Sequence, residues 1–114
     1  MGTQATMQGT SKSALAAELE RSARLCEDTA ELYVERYGDA VGVDVVSGLL
    51  LAAAAMDTAV RVLDENRPSQ ATALMIAATL ARDAIDAVER RGLDEALLLC
   101  VASLRRVVAL CDPG

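Results

Sequence analysis

Apolar residues recur at spacings of three and four along most of the chain, which is the period of amphipathic helices. The pattern predicts a flexible polar tail over 1–12, followed by four helices over about 13–37, 40–65, 69–91 and 94–111. Gly38 and Gly92 are expected to end helices, Ser69 and Asp94 to begin them, and Pro68 to break the chain between the second and third. Short connections between helices of similar length favour antiparallel neighbours. We therefore predict an all-α fold, an antiparallel up-down-up-down four-helix bundle.

The composition supports this prediction. The 114 residues suffice for one domain with a single modest core. Apolar residues make up 53% of the chain, but there is no Phe or Trp and there are only two Tyr. Ala, Leu and Val must therefore build the core, and small side chains allow helices to approach closely. The helical period predicts inner stripes on the first and third helices, formed by Leu15, Leu19, Ser22, Cys26, Thr29 and Tyr33 and by Ala77, Ala81, Ala84 and Val88.

The predicted second and fourth helices are apolar on more than one face. The stretch from Leu49 to Met56 contains no polar side chain. A helix that is apolar nearly all round is usually buried nearly all round, which a bundle of this size achieves most easily with a second chain. We predict a homo-oligomer, with a dimer favoured, whose interface residues are Leu49, Leu50, Leu51, Val101 and Val108. The alternative is that the alanine-rich surface is simply exposed.

Charge and residue usage argue against several functions. The net charge of −6, without a Lys/Arg cluster, argues against nucleic-acid binding. The uncharged run from Val45 to Met56 is too short for a membrane span, so we expect no contact with a membrane. An odd number of cysteines and no visible secretory leader favour reduced thiols and a cytoplasmic location. The absence of histidine removes the usual general base and the commonest metal ligand, so we expect no enzymatic activity.

The three cysteines are the candidate metal ligands. Cys100 and Cys111 lie about 16 Å apart along a helix axis, too far to share one ion or a disulfide. Cys26 lies near the middle of the first helix, and an antiparallel fourth helix would bring Cys100 close to its level. A two-thiolate Cu(I) site is therefore possible, with Met56 or Met75 as an additional thioether ligand. The alternative is inert packing, since free cysteine behaves as a small hydrophobe.

The stretch "CVASLRRVVALC" resembles the last helix of the cysteine-rich copper storage proteins, a family of four-helix bundles. That family has the pattern C-x3-C-x2-C-x3-C with an arginine pair at its centre, and Arg105 and Arg106 stand at those positions. The register continues in the three other helices, so the resemblance covers about residues 20–112. It implies a bundle whose interior thiolates jointly hold Cu(I).

The departures from that pattern reduce what the resemblance implies. Most of the family's cysteine positions hold Ala, Val, Leu, Thr or Tyr in this chain, and the family's histidines are missing. Only Cys26, Cys100 and Cys111 remain, so at most one or two Cu(I) ions are expected. We therefore expect a copper-storage-like bundle whose interior has become an ordinary apolar core, and which acts through oligomerisation or protein interaction. Low-capacity Cu(I) binding is the alternative, and carriage of an apolar small molecule beside Ala77, Ala81 and Ala84 is a further one.

Overall fold

A computed structural model describes residues 12–38, 42–92 and 94–112. These ranges form four helices without a strand: α1 (Lys12–Tyr37), α2 (Val43–Asp64), α3 (Gln70–Arg91) and α4 (Glu95–Cys111). The helices pack in a ring, because α1 and α3 each contact both α2 and α4. The predicted all-α four-helix bundle is confirmed.

The helix ends follow the predicted signals closely. Gly38 and Gly92 have φ angles of 55° and 109°, in the region that glycine tolerates best, and they end α1 and α3. Asp94 caps α4, since its Oδ1 accepts a hydrogen bond of 3.0 Å from the backbone N–H of Leu97. Ser69 is the N-cap of α3, but its side chain makes no capping hydrogen bond.

Several predicted boundaries differ slightly from the structure, and α3 and α4 each begin one residue later than predicted. Helix α1 begins at Lys12, one residue earlier than expected, and the rest of the predicted tail lies outside the described residues. Helix α2 begins at Val43 and ends at Asp64, one residue before its predicted end. Its expected start at position 40 also lies outside the described residues.

The core is built from the stripes that the period predicts. On α1 all six positions of the inner stripe are buried: Leu15, Leu19, Ser22, Cys26, Thr29 and Tyr33. On α3 the stripe of Ala77, Ala81, Ala84 and Val88 has no exposed surface. Helices α2 and α3 approach each other closely at Gly48. A Cβ atom added to this glycine would lie only 3.4 Å from the Cα of Ala84. Small residues therefore bring these two helices into direct contact.

Among the described helices, α2 is the one long and apolar enough to cross a membrane, judged by length and composition. It packs between α1 and α3, and Leu49, Ala52 and Met56 are fully buried there. A core helix packed between two others meets the same criterion. The prediction that the protein does not contact a membrane stays a prediction.

Candidate functional site: a buried thiol pair

Cys26 and Cys100 meet in the interior of the bundle. Their Sγ atoms are 3.6 Å apart, within hydrogen-bonding distance for sulfur, and neither side chain has exposed surface. Cys26 belongs to the inner stripe of α1, and Cys100 belongs to the buried face of α4. The expectation that the fourth helix brings Cys100 level with Cys26 is confirmed.

The thiol pair lies within a row of polar contacts along the seam between α1 and α4. One turn to one side, the Ser103 hydroxyl donates a hydrogen bond of 2.9 Å to the Ser22 hydroxyl. One turn to the other side, Thr29 is buried on the same face of α1, and its hydroxyl helps to lower the pKa of Cys100. The seam therefore holds buried polar groups at consecutive turns of α1, in a core that is otherwise apolar.

The two thiols do not titrate alike. The hydrogen bond to Cys100, followed by burial, raises the pKa of Cys26. The same hydrogen bond lowers the pKa of Cys100, with help from Thr29 and against the effect of burial. The pair therefore loses its first proton more readily than its second, because the remaining S–H can donate a hydrogen bond to the thiolate. Removing the second would place two thiolates side by side in the core, which is strongly unfavourable unless a cation replaces the protons.

Two of the other candidate sulfur ligands, Cys111 and Met75, lie apart from the thiol pair. Cys111 is partly buried at the far end of α4, eleven residues beyond Cys100, and burial raises its pKa to about 11. Met75 is 60% exposed on the outside of α3, so it cannot assist an interior site. Met56 is fully buried in the core. In residues 12–38, 42–92 and 94–112, no group of three or more Cys, Asp or Glu side chains forms a metal cluster.

Tyr33 and Asp94 form the polar contact at the end of the seam, which sequence reasoning did not find. The Tyr33 hydroxyl donates a hydrogen bond to Oδ2 of Asp94. This bond lowers the pKa of Asp94, and burial together with the same bond raises the pKa of Tyr33. Two features of the sequence pointed to this contact: Tyr33 lies on the inner stripe of α1, and Asp94 is the predicted N-cap of α4.

The arginine pair of α4 lies on the outside of the bundle. Arg105 forms an ion pair with Glu89 of α3, and Arg106 lies 3.7 Å from Glu18 of α1. Both side chains are more than half exposed. The pair therefore links α4 to its two neighbours and does not face the thiols.

The predicted interface residues divide into two groups. Leu49 and Val101 are buried in the chain's own core. Leu50 and Leu51 are about half exposed, and Val108 is partly buried in a groove between α3 and α4. Of the five predicted interface residues, Leu50 and Leu51 therefore have the most exposed surface available to a partner chain.

No protein-family model, no curated protein and no solved structure matches this chain. The resemblance to copper storage proteins therefore stays a prediction from the sequence. The geometry of the bundle is the basis on which a function can be assigned.

Proposed function

We propose that this protein is a non-enzymatic, low-capacity Cu(I)-binding bundle that holds one ion per chain between Cys26 and Cys100. The observation that carries the proposal is the 3.6 Å separation of the two sulfur atoms. Soft thiolate ligands favour Cu(I) among the common metal ions.

The sulfur separation is close to what a shared ion requires. With a metal–sulfur bond of about 2.3 Å, two sulfurs on one ion lie about 3.8 Å apart in tetrahedral geometry and about 4.6 Å apart in linear geometry. To share one ion, the two sulfur atoms would have to move apart by between a few tenths of an ångström and one ångström. We expect small rotations of the two side chains to supply this increase.

The number of ligands favours Cu(I) over zinc. Structural zinc is held by four protein ligands in a tetrahedron. The thiol pair supplies two, and it belongs to no larger group of Cys, Asp or Glu ligands in the described part of the chain. A monovalent soft ion that accepts two sulfurs suits the pair better.

A bound Cu(I) ion would offset part of the charge that the deprotonated thiols carry in the core. Two thiolates and one Cu(I) leave a single negative charge in the core, whereas two bare thiolates would leave two. The Thr29 hydroxyl beside Cys100 offers a hydrogen bond to that charge. Binding releases the thiol protons, so we expect the apparent affinity to rise with pH.

Access to the site requires local opening. Both sulfurs are fully buried, and the seam between α1 and α4 is the least extensive of the four helix contacts. We expect the ion to enter when this seam opens, which makes loading slower than at an exposed dithiol.

An anaerobic titration of reduced protein against a chromogenic Cu(I) chelator tests the proposal. The wild type should compete for one ion per chain. Cys26→Ser and Cys100→Ser should each abolish competition, while Cys111→Ser serves as the matched control and should keep it. Failure of the wild type to compete, or loss of binding in Cys111→Ser alone, would overturn the proposal.

A further inference from the structure

The outer surface between α2 and α3 is an uncharged groove. It has a volume of about 400 Å³, and the ten side chains that line it include no Asp, Glu, Lys or Arg. Its largest members are Leu51, Ile76 and Leu80. The groove runs from Leu51 to Val62 on α2, about 16 Å along the helix axis.

Grooves along the three other helix pairs all contain charge. Asp57 and Arg61 line one between α1 and α2, Asp86 and Arg105 line the one between α3 and α4, and Glu18 belongs to the one between α1 and α4. The α2–α3 groove therefore differs from these grooves on a chain whose net charge is −6.

Large apolar side chains stand exposed on and beside this groove. Leu51 is 56% exposed, Ile76 is 50% exposed and Met75 is 60% exposed. Thr72 and Thr79, one turn to either side of Met75 and Ile76, are uncharged as well. Contiguous exposed apolar surface of this kind is typical of interaction sites.

We propose that the α2–α3 face is the surface on which a second copy of this chain docks. Two copies that each carry a net charge of −6 repel one another, and contact through most faces would bring acidic side chains together. The α2–α3 groove is where two copies can meet without burying charge. A partner with a charged surface would instead leave its own charges unpaired against the groove, which is costly.

The dimensions of the face are consistent with a dimer. Helices of 22 residues, the length of both α2 and α3, are about 33 Å long, and two adjacent helices about 10 Å wide present about 660 Å² in projection. Typical stable interfaces bury about 800 Å² on each partner, and the ridged surface of a helix pair exceeds its projection. Ala54, Ala55 and Ala73 in the groove leave room for side chains of a facing helix.

This inference is independent of copper binding. Cys26 and Cys100 lie on the seam between α1 and α4, whereas the docking face lies between α2 and α3. One proposal can fail while the other stands, so the two sets of variants separate them.

Sedimentation equilibrium over a range of protein concentrations tests the proposal. The wild type should approach twice its monomer mass of 12.0 kDa, and Leu51→Glu and Met75→Glu should shift it to the monomer. Leu99→Glu is the matched control, because Leu99 is 65% exposed but lies on α4, and this variant should remain dimeric. Far-ultraviolet circular dichroism should show that all three variants stay helical, and Met75→Leu should keep the dimer.

Three outcomes would overturn the proposal. One is a wild type that stays monomeric at the highest concentration reached. Another is equal dissociation of Leu99→Glu and Met75→Glu. The third is a monomeric wild type that co-sediments with phosphatidylcholine vesicles and loses this binding in Met75→Glu, which would assign the face to a lipid surface.

Discussion

The hydroxyls of Ser22 and Ser103 are hydrogen-bonded to each other, at 2.9 Å, inside a core made almost entirely of Ala, Leu and Val. The bond joins α1 to α4 one turn away from the Cys26–Cys100 pair. Each hydroxyl satisfies the other, so the seam accommodates polar groups at little net cost.

We predict that the two serines are energetically coupled. Ser22→Ala leaves the Ser103 hydroxyl buried without its partner and should lower the free energy of unfolding by about 1–2 kcal/mol. Replacing both residues by Ala should cost less than the sum of the two single changes, because no unpaired hydroxyl remains. Urea unfolding of the four proteins measures the coupling, and strict additivity would contradict it.

The three thiols should react in a fixed order. Cys111 is partly exposed, whereas Cys26 and Cys100 are fully buried, so iodoacetamide should modify Cys111 alone in the native protein. Because burial raises the pKa of Cys111 to about 11, its rate should increase about tenfold per pH unit through the neutral and mildly alkaline range.

Mass spectrometry of native and urea-unfolded samples follows that reaction. Cys111→Ser is the control and should show no modification until the protein unfolds. Native labelling of Cys26 or Cys100 as fast as that of Cys111 would show that the seam is open.

The period of apolar residues was sufficient to predict the bundle and the inner stripe of α1, because helix geometry converts spacing directly into a face. It also placed Cys26 and Cys100 at one level, since antiparallel helices with short connections leave little freedom along the axis. The common level of the two cysteines in the bundle was therefore predictable from the sequence.

The side-chain contact between Tyr33 of α1 and Asp94 was not predictable from spacing in this way. Whether Tyr33 reaches Asp94 depends on the rotation of α1 against α4 and on one side-chain rotamer, which spacing does not determine. The buried and exposed members of the predicted interface set could not be distinguished either, because a helix that is apolar all round gives no signal for which face lies inside. Leu49 is therefore buried in the core while its neighbour Leu51 faces outward.

The Tyr33–Asp94 contact should stabilise the bundle at neutral pH. Tyr33→Phe removes a hydrogen bond to a carboxylate and should lower the free energy of unfolding by about 1–2 kcal/mol. Tyr37→Phe is the matched control, because Tyr37 is 43% exposed and contacts Tyr33 through its ring. It should have little effect.

The same contact should make stability depend on pH at both extremes. The folded-state pKa of Asp94 is lowered, so its contribution is present above the unfolded value of about 4 and is lost as pH falls below it. The folded-state pKa of Tyr33 is raised, so its contribution is present below the unfolded value of about 10 and is lost as pH rises above it. Urea unfolding from pH 2 to 11 should show the Tyr33→Phe difference shrinking at both ends, and a constant difference would refute the assignment.

Gly48 offers a stabilising substitution at the closest approach of α2 and α3. A glycine inside a helix costs up to about 1 kcal/mol relative to alanine. The added Cβ would lie 3.4 Å from the Cα and 3.7 Å from the Cβ of Ala84, which is ordinary van der Waals contact. Gly48→Ala should therefore raise the free energy of unfolding by about 0.5–1 kcal/mol and the Tm by a few degrees.

A larger side chain at the same position should have the opposite effect. Gly48→Leu would force additional atoms into the contact with Ala84 and should cost about 1–3 kcal/mol. Thermal unfolding of both variants distinguishes close packing from free space at this point. If Gly48→Leu were as stable as Gly48→Ala, α2 and α3 would have to stand further apart than the structure places them, and the alanine stripe of α3 would border a cavity able to hold an apolar ligand.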